Sequence, residues 1–227
     1  MSHTVDANKY QLIEVTNIDT FEYIDNKLII KGKEIKSKYV QPVDPRECKI
    51  DLYGNKLYYS SYYDENNNKI EKLNSWSYID ETGNLIDLPA IICANGDKYW
   101  HKNDNYHRDD DLPAIIYADG DQHWYKDGKC HRDDDLPASI CASGGQVWYK
   151  NDKIHRDNDL PAIIYSDGSK HWYKDGKRHR DNDLPAIINA SGYQAWCQND
   201  KLHRDNDLPA IIYVNGKNKY YRDGVEY

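Results

Sequence analysis

The sequence predicts an all-β protein in which β-hairpins repeat with a 24-residue period and form an elongated array with a single-layer, twisted sheet. Three observations predict this fold. A segment that begins His-Arg and ends Leu-Pro-Ala occurs five times, the Pro and Gly residues recur in fixed phases, and no apolar spacing of three and four persists. The five copies begin at His107, His131, His155, His179 and His203.

One unit of the repeat predicts two short strands and a connection. Residues 114–118 (Ala-Ile-Ile-Tyr-Ala) are apolar and rich in strand formers, and Asp119-Gly120 is typical of a two-residue turn with positive φ. Residues 122–126 then form a second strand, followed by the turn signal Asp127-Gly128. The His-Arg-Asp segment that follows connects one hairpin to the next.

The tryptophans share one phase of the repeat, and Tyr220 takes the next position. Side chains alternate across a strand, so Ala114, Ile116 and Ala118 lie on one face. Because this face varies little among the copies, we predict that it packs between units. Buried aromatic rings of ~150–250 Å² each would then dominate the stacking of the units.

The Arg of each connection predicts a charged ladder along the array. Arg132 would pair with Asp133 or Asp135, or with the same positions one unit along, so that like charges do not face each other. The predicted structural ladder contains one Trp and one Arg from each unit: Trp100, Trp124, Trp148, Trp172, Trp196, Arg108, Arg132, Arg156, Arg180 and Arg204.

Two other interpretations of the connection predict chemistry. Its His-Arg-Asp triplet resembles the catalytic loop of protein kinases, but that loop occurs once and has glycine-rich and metal-binding segments that this chain lacks. Acidic runs such as residues 133–135 could offer oxygen ligands to Ca²⁺, yet they contain no Gly and no distal Glu. Turn formation explains these acids more simply.

Cysteine usage and symmetry give no sign of a metal or catalytic centre. The five cysteines form no Cys-x-x-Cys pair, which favours free thiols in a reducing compartment over a zinc site. A catalytic site breaks symmetry, and the regular region offers no such break. We therefore predict a protein that is not an enzyme, with no catalytic, cofactor-binding or metal-binding residues.

The run Trp172–His179, followed by Ala186-Ile187-Ile188 and Ser191-Gly192, resembles a MORN repeat. The resemblance covers about residues 76–227. It departs from the usual pattern at Arg180, where MORN repeats have Gly, and in a slightly longer unit. The His-Arg and Pro-Ala variant is similar to MORN-like repeats of large DNA viruses, such as the mimivirus group, and of some phages. The resemblance implies a scaffold of hairpins, often dimeric, with lipid binding proposed for some members.

The chain divides into three predicted segments. Residues 1–47 form an N-terminal β-hairpin cap region, in which residues 21–30 predict a hairpin. Residues 48–88 form two degenerate repeats, with Trp76 in phase with the later tryptophans, and residues 89–227 form the regular repeats.

Charge and composition limit the function. A net charge of −8 and a pI of about 5.6 argue against nucleic acids and anionic membranes as partners. The absence of a signal peptide and of a membrane span predicts a cytoplasmic protein, in the host cytoplasm or the virion if viral. The many Asn, Asp, Lys and Ile codons suggest an AT-rich genome, in keeping with a giant virus.

Together these features predict a non-enzymatic scaffold or protein-binding module with an unidentified protein partner. The alternative is a structural component of a virion or assembly that associates through its sheet edges. In either case we expect a homodimer through residues 209–227, because the last strands lack a polar cap. Four tyrosines mark the predicted edge: Tyr213, Tyr220, Tyr221 and Tyr227.

Overall fold

The computed structural model describes residues 44–65, 67–80 and 82–227, and four strands before them. The described residues form strands and turns without a helix, which confirms the predicted all-β array of hairpins. They therefore include no helix long and apolar enough to cross a membrane. The chain divides into two compact units, one of Met1–Pro45 with Trp76–Leu88 and one of Arg46–Ser75 with Pro89–Tyr227.

The described residues of the first unit form three antiparallel strand pairs. The predicted hairpin over residues 21–30 is confirmed, with longer strands than expected. The pairs are Ile13–Val15 with Ile35–Ser37, Ile18–Ile24 with Lys27–Gly32, and Trp76–Ile79 with Leu85–Leu88.

The second unit is built on a 15-stranded antiparallel sheet, the main sheet. From Ile91 onward its strands follow each other in chain order, and each repeat adds two of them. Its strands are Glu47–Ile50, Lys56–Tyr63, Lys69–Leu73, Ile91–Ile92, Lys98–Tyr99, Ile115–Ile116, Gln122–His123, Ser139–Ile140, Gln146–Val147, Ile163–Ile164, Lys170–His171, Ile187–Ile188, Gln194–Ala195, Ile211–Ile212 and Asn218–Lys219.

Each regular repeat also contributes a short two-stranded hairpin outside the main sheet, the side hairpin. Successive side hairpins are joined by backbone hydrogen bonds, such as Gly128 N–H to Tyr106 O at 2.9 Å. The strand pairs are His101–Lys102 with Asn105–Tyr106, Tyr125–Lys126 with Lys129–Cys130, Tyr149–Lys150 with Lys153–Ile154, Tyr173–Lys174 with Lys177–Arg178, Cys197–Gln198 with Lys201–Leu202, and Tyr221–Arg222 with Val225–Glu226.

Trp124 marks the point at which the chain leaves the main sheet. Its N–H donates to Ala138 O of the next unit at 2.8 Å, and its carbonyl accepts from His131 N–H at 3.2 Å. The predicted continuous strand over residues 122–126 is therefore wrong, because the backbone of Trp124 serves the main sheet on one side and the side hairpin on the other.

The turns explain the many Asn, Asp and Gly residues. In the main sheet the loop has three residues, because Tyr117 N–H binds Asp121 O and only Gly120 has positive φ, +99°. The predicted two-residue turn at Asp119-Gly120 is therefore wrong, and the geometry is that of a type I turn with a bulge. The side turn Asp127-Gly128 has positive φ at both residues, as predicted.

The core contains the small and aromatic residues that recur in every unit. Ala114 is fully buried, and so is each equivalent Ala. On the neighbouring positions Ile115 is buried, whereas Ile116 is half-buried and Ala118 is exposed. The predicted packing face is thus wrong at Ala118, whereas Ile140 and Ile188, the equivalents of Ile116, are partly buried and pack against the core. The strands are only two residues long, so alternation along a longer strand does not decide which side chains are buried. The position of Ile115 packs toward a side hairpin, because the core cluster around its equivalent Ile187 includes Cys197.

Residues 48–88, predicted as two degenerate repeats, contain the backbone contacts of one repeat with two insertions. Tyr58 N–H donates to Ala90 O at 2.7 Å, as Trp124 does to Ala138, and Leu73 O accepts from Asp104 N–H at 3.1 Å, as Cys130 O does from Asp152. Tyr59 to Leu73 spans 14 positions against five in Tyr125 to Cys130, and Leu73 to Pro89 spans 16 against seven in Cys130 to Pro137. Each insertion therefore has nine residues. Trp76 lies in the second insertion, and Tyr58 occupies the position of the repeating Trp.

Candidate functional site

Trp, Arg and Asp side chains link each repeat to the one before it. The guanidinium of Arg132 lies 3.9 Å from the centre of the Trp124 ring and donates two hydrogen bonds of 2.7 Å to the carboxylate of Asp111. It also donates to Pro137 O at 3.3 Å. The Trp124 indole N–H binds Asp111 O at 2.9 Å. The sequence left the partner of Arg132 open, and the structure places it on the Asp one unit earlier.

The same arrangement recurs at the later tryptophans, whereas the buried indole N–H of Trp100 has no hydrogen-bond partner among the described residues. Each ladder Arg lies 3.8–3.9 Å from the centre of its ladder Trp ring, and each of these Trp side chains is at most 6 % exposed. A desolvated cation–π pair contributes up to about 2 kcal/mol. Hydrogen bonding to the neighbouring Arg lowers the pKa of the Asp partner at Asp111, Asp159 and Asp183. The five Trp–Arg pairs are Trp100–Arg108, Trp124–Arg132, Trp148–Arg156, Trp172–Arg180 and Trp196–Arg204.

In four of the five copies the His of the repeated triplet bridges a connection and the following side turn, whereas the buried Nδ1 of His131 has no hydrogen-bond partner among the described residues. His107 Nε2 lies 2.9 Å from Asp109 Oδ1, and His107 Nδ1 accepts the backbone N–H of Asp127 at 3.1 Å. Since an N–H group donates to Nδ1, the neutral ring carries its proton on Nε2. The hydrogen bond with His107 is the main cause of the lowered pKa of Asp109. His and Arg of the triplet thus have partners within the array.

The acidic run of the connection forms a tight turn with a separate role for each residue. Asp133 accepts from Lys126 at 2.7 Å and lies 2.9 Å from His131 Nε2, and Asp135 accepts from Arg156 at 2.8 Å. Asp134 and Asp135 have φ of +58° and +54°. The carboxylate of Asp134 has no hydrogen-bond or ion-pair partner among the described residues. Within the same part of the chain, no group of three or more His, Cys, Asp or Glu residues is arranged to hold a metal ion.

Clefts lie between successive connections and recur along the array. The first cleft, between the connections of residues 107–112 and 131–134, has a volume of about 270 Å³ and is lined by Trp124, Tyr125 and Lys126. The second, lined by Trp148, Tyr149 and Lys150, has about 220 Å³, and the third, around Trp172, about 330 Å³. The repeat thus presents the same concave surface at regular intervals.

A row of leucines accompanies the clefts. Leu112, Leu136 and Leu160 line the first, second and third cleft, one each. We call these leucines and their equivalents in the later units the leucine row. Each of them is 37–40 % exposed and lies between the turn of the connection and the Pro-Ala segment that follows. Sequence reasoning missed this row, whose signal is the Leu of every Asp-Leu-Pro. Its members are Leu112, Leu136, Leu160, Leu184 and Leu208.

The predicted edge tyrosines do not form one cluster. Tyr213 packs against Tyr193 at a centroid distance of 5.5 Å, and Tyr221 donates to Glu226. Tyr220 and Tyr227 are 36 % and 58 % exposed and lie 6.2 Å apart. Tyr220 and Tyr227 are therefore accessible at the surface, although Tyr227 also donates to Asp207 at 3.5 Å.

The five cysteines are free thiols in different environments. Cys48 is exposed, whereas Cys130 and Cys197 are buried. Burial raises the pKa of the Cys130 thiol to about 12, and it also raises the pKa of Cys197. A raised pKa makes a thiol unreactive, so the two buried thiols act as core residues.

Comparison with protein families, with curated proteins and with solved structures finds no match to this chain.

Proposed function

We propose that this protein is a non-enzymatic repeat scaffold that binds a protein partner along its row of clefts. The leucine row carries the proposal. An apolar side chain that is left more than a third exposed at the same position of five units, in three of them beside a cleft, exceeds the scattered exposure that a soluble protein normally shows. A partner that contacts several equivalent clefts would gain affinity from each additional contact.

Rigid spacing supports this role. The Trp–Arg–Asp links and the continuous main sheet hold each unit against the next, so a partner meets preformed clefts at fixed intervals. Little ordering of the scaffold is then required on binding, which lowers the cost of association. The resemblance to MORN repeats, which serve as scaffolds, agrees with the proposal, and the viral variants among them extend it to a viral source.

Cross-linking with a matched control tests the proposal. Leu112, Leu136 and Leu160 are replaced together by Gln, and Lys126, Lys150 and Lys174, one at each of the same three clefts, provide amines for a cross-linker. We expect wild-type protein to give partner cross-links at these lysines, and the triple variant to lose them while melting within a few degrees of wild type. The control Val214→Gln removes a 67 % exposed side chain from a main-sheet turn and should keep them. Equal cross-linking by the triple variant would contradict the proposal.

We propose assembly through the sheet edge as the second candidate, because the main-sheet strand Asn218–Lys219 has one side that no described strand covers. Its other side pairs with Ile211–Ile212. The Tyr220 N–H, which corresponds to the Trp124 N–H that binds the next unit, has no backbone partner in the part of the chain that the structure describes. Such an edge can pair with a second copy. Tyr220→Pro removes this donor and should convert dimers into monomers in sedimentation at tens of micromolar, and a monomeric wild type would exclude the candidate.

A further inference from the structure

We propose that the first cleft binds an extended basic segment of a protein, with two cationic side chains three residues apart. This inference rests on the proposed scaffold function and names the chemistry of the partner. It starts from Asp110 and Asp134, which occupy equivalent positions on the two connections that border the first cleft.

The turn itself does not require negative charge at these positions. Asp110 and Asp134 have φ of +60° and +58°, and their neighbours Asp111 and Asp135 also have positive φ. Asn tolerates this conformation as well as Asp does, and the three later connections carry Asn at the same position with φ of +59° to +61°: Asn158, Asn182 and Asn206. The two carboxylates are therefore in excess of what the fold needs.

Neither carboxylate is held by a hydrogen bond or an ion pair among the described residues, although Lys126, which also lines the cleft, has a pKa that is raised by its hydrogen bond with Asp133 and further by the charge of Asp134. The flanking acids are engaged, Asp109 by His107 and Asp111 by Arg132, whereas Asp110 and Asp134 have no hydrogen-bond or ion-pair partner among the described residues. Residues 89–136 contain six basic and 11 acidic residues, a net charge of −5, and residues 137–208 contain ten of each, a net charge of zero. The excess negative charge thus lies in the two units that form the first cleft, and it favours a cationic partner.

The spacing of the units selects the conformation of that partner. Each repeat adds two strands to the main sheet, so equivalent atoms of adjacent units lie about 9.6 Å apart, twice the ~4.8 Å separation of paired strands. Three residues of polyproline II advance ~9.3 Å. Cations at positions i and i+3 of such a segment would reach Asp110 and Asp134 together.

The floor of the cleft suits the residues between the two cations. Leu112 and the half-buried Tyr125 line it, and apolar and aromatic surfaces are what Pro-rich segments contact in known recognition grooves. Polyproline II has no internal backbone hydrogen bonds and is preformed in Pro-rich chains, so such a segment loses little conformational entropy on binding. A Lys-Pro-Pro repeat combines the required charge, spacing and apolar surface.

Peptide binding tests the inference with isosteric protein variants. Fluorescein-labelled peptides with four lysines, built as Lys-Pro-Pro, Lys-Pro or Lys-Pro-Pro-Pro repeats, are titrated with protein at low salt, and anisotropy gives Kd. We expect the Lys-Pro-Pro peptide to bind the most tightly. The double variant Asp110→Asn with Asp134→Asn carries the residue that later units have at this position, so its melting temperature should be unchanged. Its affinity for the Lys-Pro-Pro peptide should fall about tenfold, which corresponds to the loss of two ion pairs. Asn158→Asp with Asn182→Asp should strengthen it.

The outcomes separate this inference from the scaffold proposal. Equal affinities for the three peptides, or unchanged affinity in the Asp110→Asn and Asp134→Asn variant, would overturn the inference. If the partner cross-links still depend on the leucine row in that case, the scaffold function stands and only the basic partner is excluded. If the three peptides bind equally and the partner cross-links also do not depend on the leucine row, both the basic partner and the scaffold function are excluded.

Discussion

Arg46 lies over the ring of Tyr58, 4.5 Å from its centre, and reproduces in the degenerate repeat the Trp–Arg pair of the regular repeats. Its guanidinium donates to Pro89 O at 2.8 Å, as Arg132 does to Pro137 O, and to Asn74 O at 2.9 Å. In a regular unit this Arg precedes its Pro by five residues, whereas Arg46 precedes Pro89 by 43. The contact has therefore been kept although a different segment of the chain supplies it.

Arg46→Ala is expected to destabilise the N-terminal end of the main sheet. Arg46 is only 8 % exposed, and its removal leaves two carbonyl groups without their donor, at about 1–3 kcal/mol for each that stays buried. Hydrogen exchange of residues 47–59 should accelerate, while that of residues 160–200 should not. Arg222→Ala, which removes an exposed Arg near the other end, serves as the control. Uniform acceleration along the chain would argue against a local role.

Trp148→Ala is expected to lower the free energy of unfolding by about 3–5 kcal/mol, the usual cost of removing a buried aromatic ring. The ring is 6 % exposed, contacts Arg156 and donates to Asp135 O at 2.9 Å. Urea unfolding followed by circular dichroism measures the loss. Trp148→Phe, which keeps an aromatic ring but not the N–H, should lose less. A loss below about 1 kcal/mol in the Ala variant would show that the ring does not link the units.

Arg156→Ala is expected to cost more than the ~0–1 kcal/mol of an exposed ion pair. The guanidinium stacks on Trp148, binds Asp135 and donates to Pro161 O at 3.4 Å. Salt screens only the ion pair, so the loss should shrink between low and high salt but persist. Arg156→Lys keeps the charge without the planar fork and should recover only the salt-sensitive part. Complete disappearance of the loss at high salt would exclude the packing role.

Stability is expected to fall in acid because folding lowers the pKa of several connection carboxylates. Hydrogen bonds with Arg lower the pKa of Asp159 and Asp183, so the unfolded chain binds more protons than the folded one. Their contribution is present above the unfolded pKa of ~3.9 and is lost as pH falls through the folded value. Urea midpoints should therefore decline below about pH 4. Asp159→Asn should reduce this decline, and Asp110→Asn, which removes a carboxylate without a partner among the described residues, should not.

The sequence predicts the structural features that recur with the 24-residue period and misses the insertions and contacts that depart from it. The hairpins follow from the alternating apolar runs and the Asp-Gly and Asn-Asp pairs, because left-handed turns accept few other residues. The two insertions in residues 59–89 shift the sequence relative to the 24-residue period but keep the contacts of the repeat. Trp76 therefore matches the period in the sequence, whereas Tyr58 occupies the position of the repeating Trp in the structure. Arg46 could not be found by any spacing rule, since its partners lie up to 43 residues away.

The site illustrates a second limit. The sequence leaves the Asp partner of Arg132 open, because pairing across units depends on how neighbouring connections are offset. The side turns also repeat with a longer period of 48 residues, because they alternate between Asn-Asp, as at residues 151–152, and Asp-Gly, as at 127–128. In the Asn-Asp turns the Asp carboxylate caps a neighbouring strand, as Asp152 does for Cys130 N–H at 2.7 Å. Gly at this position cannot supply that bond.

Deletion of whole units is expected to give shorter folded proteins. Removing residues 161–184 joins Leu160 to Pro185 and keeps every hydrogen-bonded position in phase, because each unit contacts only its neighbours. Removing twelve residues, 161–172, would place a main-sheet strand where a connection belongs and should abolish cooperative unfolding.

Removing 48 residues, 137–184, also preserves the alternation of side turns. We therefore expect the 48-residue deletion to melt no lower than the 24-residue deletion although it removes more of the array. Circular dichroism and thermal melting compare the three proteins, and similar behaviour of the 12- and 24-residue deletions would show that the repeat is not the structural unit.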